Sequence, residues 1–259
     1  MPQFERYIGI DYSGAATPTT SLKGLRVYVS SQAAPAVEVL PPSGARKYWT
    51  RHGIAHWLQA KLSDGITTLV GMDHGFSFPL SYFKQHALAL DWDSFLDDFH
   101  HHWPTDEDHT YVDFVREGMV GLGQARMGDT RWRRACEVKC RAKSVFHFDV
   151  QGSVAKSTHA GLPWLRHLRK RFGSALHVWP FDGWDIPVNR SAILEAYPAL
   201  YKLGYATEDR TPDQHDAYAI ASWLCDADAS GDLHRFLSPE LSVEEREMAK
   251  VEGWILGVS

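Results

Sequence analysis

The chain has 259 residues, a hydrophobic content of 44% and a formal net charge of −5 at pH 7. That length and apolar content suffice for one large domain or two small ones with a full core. Three cysteines cannot build a disulfide framework and lack the spacing of a zinc site. No apolar run approaches the roughly 18 residues of a membrane span, and the N-terminus has no signal pattern. The sequence therefore predicts a cytoplasmic protein that is neither secreted nor membrane-embedded.

The first part of the chain is rich in strand signals. Short apolar runs at 5–12 and 66–73, bounded by turn residues, predict two central strands covered on both faces. Residues 25–31 and 35–40 read as two further strands, which form an antiparallel meander with the first. An amphipathic pattern over 45–62 predicts a helix that crosses over to the second central strand.

The rest of the chain is predicted to be mostly helical. A long insertion is expected at about 80–175, followed by a short strand at 176–179 and by the strand that carries Glu195. The capping box at 211–214, with proline at the first helical position, predicts a late helix. Because we find no internal repeat and no low-complexity linker, we expect a single domain over 1–259 that includes the insertion.

Four acidic residues lie where the pattern predicts apolar surroundings. Asp11 and Asp73 end the two central strands, Glu195 lies within a strand, and Asp216 lies within the alanine-rich late helix. An isolated buried carboxylate is unfavourable unless a partner cancels its charge. Since no matching set of lysines or arginines stands beside these acids, the expected partner is a divalent cation, which prefers oxygen ligands. Asp213 shares a helix face with Asp216.

Each acid also has a purely structural interpretation. Asp11 or Asp73 alone could form a turn at a strand end, and Glu195 could be a core glutamate bonded to backbone. Asp213, in the first turn, could simply complement the helix dipole. Asp216 has the least local reason to stand among alanines.

The charge is unevenly distributed along the chain. Arg126–Arg171 contains twelve Lys and Arg against three acids, a balance of +9, so the remaining residues carry −14. Gln85–Asp113 contains eight acids, five histidines and no Lys or Arg. The basic segment predicts a nucleic-acid partner, held through its phosphate backbone. Alternatively, it neutralises the acidic stretch of the same chain. The candidates for binding substrate phosphates are Arg131, Arg133, Arg134 and Lys156.

The order of these elements and acids resembles the ribonuclease H-like arrangement. More closely, the chain resembles a family of predicted ribonuclease H-like nucleases, domain-of-unknown-function family 429. The resemblance covers most of the chain and is carried by Gly9–Ala15, Gly71–Asp73, Phe76–Pro79, Glu195–Ala199 and Asp213–Ala217. It implies an α/β fold with a mixed sheet, three antiparallel strands followed by parallel strands, flanked by helices.

The resemblance also implies a metal-dependent nuclease. Such a site hydrolyses phosphodiester bonds with two Mg²⁺ or Mn²⁺ ions about 3.5–4 Å apart. We expect Asp11 to bridge the ions and Asp73 and Asp216 to bind one ion each. We predict that Glu195 is catalytic and that Asp213 is a metal ligand. Each would bind an ion directly or lie next to the ligands.

Two other functions fit parts of the pattern. An actin-like or sugar-kinase-like ATP-dependent phosphotransferase also begins with an aspartate on its first strand, and the turn at 13–15 would then hold phosphate. Such proteins bind nucleotide between two copies of the fold, however, and the second half of this chain predicts no second meander. The other alternative is a non-catalytic nucleic-acid-binding protein that kept the ribonuclease H-like fold.

Overall fold

A six-stranded sheet forms the centre of the computed structural model, which describes residues 2–14, 16–42 and 46–259. The strands are β1 (Arg6–Tyr12), β2 (Leu25–Ser31), β3 (Ala34–Glu38), β4 (Thr68–Asp73), β5 (His177–Val178) and β6 (Ala192–Glu195). Their order across the sheet is β3-β2-β1-β4-β6-β5. The first three strands are antiparallel, whereas β4, β6 and β5 continue the sheet in parallel with β1. This confirms the prediction of an α/β fold with an antiparallel-then-parallel mixed sheet.

Nine α-helices lie in the described part of the chain. They are α1 (Arg51–Leu62), α2 (Leu80–Gln85), α3 (Trp92–His102), α4 (Val112–Arg116), α5 (Ala135–Lys139), α6 (Ala155–Phe172), α7 (Pro212–Ser230), α8 (Leu233–Leu237) and α9 (Val243–Glu252). None of them is both long enough and apolar enough to cross a bilayer. The segments α2 to α6 all fall between β4 and β5, where the insertion was predicted.

The two faces of β1 serve different layers. Its even-numbered residues Ile8 and Ile10 join the core that contains α1, while Tyr7 packs in the core that contains Ile220 of α7. This follows from the alternation of side chains along a strand. The odd-numbered residues, including the strand-end Asp11, therefore face α7.

Capping residues set where α1 and α7 begin. Thr50 is the N-cap of α1 and accepts a hydrogen bond from Gly53 N. The helix therefore begins at Arg51, six residues later than the predicted start. The predicted start, position 45, lies outside the described residues. In α7 the predicted capping box forms between Thr211 and Gln214. This helix ends at Gly231, whose φ of 82° is a left-handed conformation that favours glycine.

Candidate metal centre

Two of the predicted acids lie side by side at the ends of neighbouring strands. In the parallel pair β1 and β4, Asp11 is in register with Asp73, and Gly9 is in register with Gly71 two residues earlier. Because side chains alternate with a period of two, all four positions face the same side of the sheet. Both carboxylates therefore emerge beneath α7, as expected from the apolar runs that precede them.

The two glycines allow α7 to lie directly on the sheet. A Cβ atom at Gly9 would come within 2.2 Å of the carbonyl oxygen of Ala217. One at Gly71 would come within 2.6 Å of a methyl carbon of Ile220. Only glycine fits so close an approach, to the backbone of α7 at Gly9 and to its side chains at Gly71, and the approach places Asp216 of α7 above the strand ends.

Three carboxylates meet at this point. Asp11, Asp73 and Asp216 each offer an oxygen, and these three oxygens lie within 4.8 Å of one another. Around a six-coordinate Mg²⁺, neighbouring oxygens are about 3 Å apart and opposite oxygens about 4.2 Å apart. The three side chains would therefore have to move closer together to share a hard divalent cation.

Burial makes these carboxylates favour a proton or a cation. The side chain of Asp11 is buried, which raises its pKa to about 7, and nearby Asp213 and Asp216 add to the rise. A hydrogen bond of 2.7 Å from Ser13 N to an Asp11 oxygen opposes it. Burial, followed by repulsion from the neighbouring acids, likewise raises the pKa of Asp73 well above its ordinary range. A divalent cation would relieve both effects.

A buried hydroxyl without a partner lies near the same acids. The Tyr201 hydroxyl has no hydrogen-bond partner among the described residues, and the tyrosine ring stacks on Trp223 with centroids 4.6 Å apart. Burial raises its pKa, and the charges of Asp73 and Asp216 raise it further. A buried donor left unpaired is unfavourable, so Tyr201 places a polar group without a partner among the described residues within the influence of Asp73 and Asp216.

Lys202, which the sequence did not single out, supplies a positive charge at the cluster. Its ammonium donates to both oxygens of Asp216, at 2.9 and 3.2 Å. It begins a short 3₁₀ turn, Lys202–Gly204. The expectation that the acids have no basic neighbour is therefore wrong at Asp216, because a lysine distant from it in sequence folds back onto it.

Glu195 lies outside the three-carboxylate group. Both of its oxygens accept hydrogen bonds from the guanidinium of Arg134, at 2.6 and 2.7 Å. One of them also accepts from Phe76 N at 3.1 Å. Glu195 thus pairs with a buried arginine and holds the loop that follows Asp73, and its predicted catalytic role stays a prediction.

Arg134 is fully enclosed by this network. Its side chain has an exposure of 0%, and it also binds Glu137 at 2.9 Å. The prediction that Arg134 contacts substrate phosphates is therefore contradicted, because the guanidinium cannot reach solvent. Asp213 lies in the first turn of α7, outside the three-carboxylate group, but close enough to raise the pKa of Asp11.

A cleft of about 760 Å³ opens over the carboxylates, with Asp73 and Asp216 among its lining residues. One wall comes from the segment Phe148–Ser157, which includes the start of α6, and the other from Tyr197–Lys202. Each wall carries a lysine, Lys156 on the first and Lys202 on the second. The ammonium of Lys156 is paired with an acid of α4, Asp113, at 2.6 Å.

Much of the basic segment neutralises the acidic stretch of the same chain. Five of its cations pair with acids of that stretch: Arg126 with Asp98, Lys156 with Asp113, Arg169 with Asp93, and Arg166 and Lys170 with Asp97. Of the other predicted phosphate contacts, Arg131 pairs with Asp129 and Arg133 is exposed. The alternative of neutralisation within the chain therefore accounts for much of the charge pattern, and a nucleic-acid partner is not supported by it.

Comparison of the chain with protein-family models, curated proteins and solved structures finds no match. Membership of the family that Gly9–Ala15 and Asp213–Ala217 resemble therefore stays a prediction, and Ala15 lies outside the described residues.

Proposed function

We propose that this protein is a metal-dependent hydrolase of phosphodiester bonds, with a ribonuclease H-like arrangement of its sheet. Mg²⁺ or Mn²⁺ would be held by Asp11, Asp73 and Asp216. The observation that carries the proposal is the meeting of these three carboxylates, from two strands and a helix far apart in sequence, beside an open cleft. The strand order, three antiparallel strands continued by parallel ones, supports the same arrangement.

The chain's own groups prepare the site for a cation. All three ligands are carboxylates, which suit Mg²⁺ and Mn²⁺ better than softer metals. The Ser13 amide fixes one oxygen of Asp11, and α7 fixes the backbone of Asp216. When bound, the ion supplies Lewis-acid polarisation of a phosphoryl oxygen and lowers the pKa of its water. Two lysines line the cleft, and each is paired with an acid, Lys156 with Asp113 and Lys202 with Asp216, so a phosphate would bind either ammonium only in place of that acid.

We take a nucleic acid as the substrate because it is a chain of phosphodiester bonds and the cleft beside the three carboxylates is open. The phosphotransferase alternative needs a second copy of the fold to close over the nucleotide. The described residues form one six-stranded sheet, so nothing there favours that alternative. A non-catalytic binding protein would share the same acids and is separated from the hydrolase by experiment.

The test is metal-dependent cleavage of labelled linear, hybrid and branched nucleic acids. We expect Asp11→Asn and Asp216→Asn each to abolish cleavage while remaining folded, because each removes a charge that the cation needs. Asp213→Asn is the matched control in the same helix and should lower the cleavage rate less, since asparagine can still accept a hydrogen bond in the first turn of the helix. Ca²⁺ should support binding with little turnover, because its coordination sphere is larger and more flexible.

Three outcomes would contradict the proposal in different ways. Equal melting curves in chelator and in millimolar Mn²⁺ would remove the metal site, because a ligand of the folded state must stabilise it. Cleavage that persists in Asp11→Asn would assign the activity to another site or a contaminant. Mn²⁺ binding without cleavage of any substrate in the panel would leave a binding protein in place of a hydrolase.

A further inference from the structure

The ammonium of Lys202 lies where a metal-binding carboxylate must offer its oxygens. It is within 3.2 Å of both oxygens of Asp216, so each oxygen already has a cation beside it. The pair is partly exposed, with 35% of the lysine side chain and 19% of the aspartate side chain accessible. The lysine can therefore leave without unfolding the segment that carries it.

A divalent ion and this ammonium compete for the same carboxylate. Two positive charges that share both oxygens of one carboxylate would lie only a few ångströms apart and repel each other strongly outside bulk water. The divalent ion gains from all three acids, whereas the ammonium forms an ion pair with only Asp216 among the described residues. A metal bound to Asp11, Asp73 and Asp216 therefore displaces the ammonium from at least one oxygen.

The displaced ammonium remains in the cleft. Lysine has a long flexible stem with a compact charge at its end, and Lys202 lines the cleft together with Asp73 and Asp216. Lys156, which also lines the cleft, keeps its own partner Asp113 at 2.6 Å. Once Asp216 is bound to metal, the next anion offered to Lys202 is a phosphate of the substrate.

We propose that Lys202 is an internal cation that holds Asp216 until a divalent ion replaces it, and that its freed ammonium then binds a phosphate oxygen in the cleft. This inference rests on the proposed metal site and adds to it a residue that couples metal loading to substrate binding. It makes the protein competent for an anionic substrate only after the metal has bound.

The first experiment measures Mn²⁺ affinity by titration calorimetry in the full chain. Lys202→Met keeps the length of the stem and removes the charge. We expect it to bind Mn²⁺ about three- to tenfold more tightly than the unmodified protein, since a partly exposed ion pair no longer has to be broken. Lys250→Met, which removes a partly exposed ion pair with Glu247 outside the cleft, is the matched control and should leave the affinity unchanged.

The second experiment follows Lys202 directly in the unmodified protein. An amine-acylating reagent with mass-spectrometric readout should label Lys202 several-fold more in Mn²⁺ than in chelator, because the ammonium no longer pairs with both oxygens of Asp216. Labelling of Lys156 should stay constant. Since no variant is needed, this readout does not depend on how Lys202→Met folds.

The third measurement concerns the phosphate. In Ca²⁺-loaded protein, a dinucleotide with one phosphodiester should bind about three- to tenfold more weakly to Lys202→Met than to the unmodified chain. Equal binding of the dinucleotide would overturn the phosphate role.

The failures of the two proposals are distinguishable. Unmodified protein that binds no Mn²⁺ would overturn the metal site and this inference together. Unmodified protein that binds Mn²⁺, with unchanged affinity in Lys202→Met or unchanged labelling of Lys202, would overturn the exchange and leave the metal site standing.

Discussion

Asp11 makes the stability of the chelator-treated protein depend on pH. Its buried carboxyl has a pKa of about 7 in place of 3.8. Between pH 3.8 and about pH 7 the folded state keeps a proton that the unfolded chain has released. The free energy of unfolding therefore falls by about 1.4 kcal/mol for each unit by which the pH rises. The loss begins near pH 4, is complete above about pH 7, and amounts to about 4 kcal/mol. Asp11→Asn removes it, and the amide oxygen can still accept from Ser13 N.

Urea unfolding followed by circular dichroism, in chelator and at several pH values, measures this effect. The variant should match the unmodified protein near pH 4 and exceed its stability by about 4 kcal/mol at pH 8, with the same dependence on urea concentration. Adding Mn²⁺ at pH 8 should stabilise the unmodified protein only. Parallel stability curves for the two proteins from pH 4 to pH 8 would refute the argument that burial raises the pKa of Asp11.

Two further predictions concern the supports of the site. Arg134→Met leaves Glu195 buried without its charge partner and should lower the free energy of unfolding by about 3–5 kcal/mol. The control Arg133→Met, at the exposed neighbour, should change the free energy of unfolding by less than about 0.5 kcal/mol. Equal urea midpoints for the two variants would contradict this prediction. Gly9→Ala places a methyl group 2.2 Å from a backbone oxygen of α7 and should cost on the order of 1–3 kcal/mol. Gly204→Ala, which meets nothing within 4 Å, is its control, and equal melting temperatures would mean that α7 does not rest on β1.

The parts of the fold that depend on local sequence could be predicted. Apolar runs that end in an acid and a glycine-containing loop located Asp11 and Asp73 at strand ends, and a capping box located the start of α7 at Pro212. Period-two alternation is a property of a single strand, so it needs no knowledge of the tertiary fold. The start of α1 was missed because Thr50, its N-cap, follows a stretch whose apolar pattern continues into the helix.

The pairing of charges could not be predicted, because it joins residues far apart in sequence. Glu195 was expected to need a metal because no cation stands near it along the chain, yet Arg134 lies against it in space. Arg134 itself occurs in a basic run and so resembled a surface residue. Lys202 is fourteen residues before Asp216, and only the turn that precedes α7 brings them together. A buried acid predicts a positive partner, but sequence alone does not say which one.

The contact of α7 with Gly9 and Gly71 has a consequence for how the site moves. Two of the three carboxylates come from strands, and the third comes from a helix that touches one of those strands backbone to backbone. The distances between the three carboxylates therefore depend on the main chain more than on adjustable core side chains. Amide hydrogens at this contact should exchange only when the whole fold opens. The cluster of acids is therefore expected to persist or vanish with the native state as one cooperative unit.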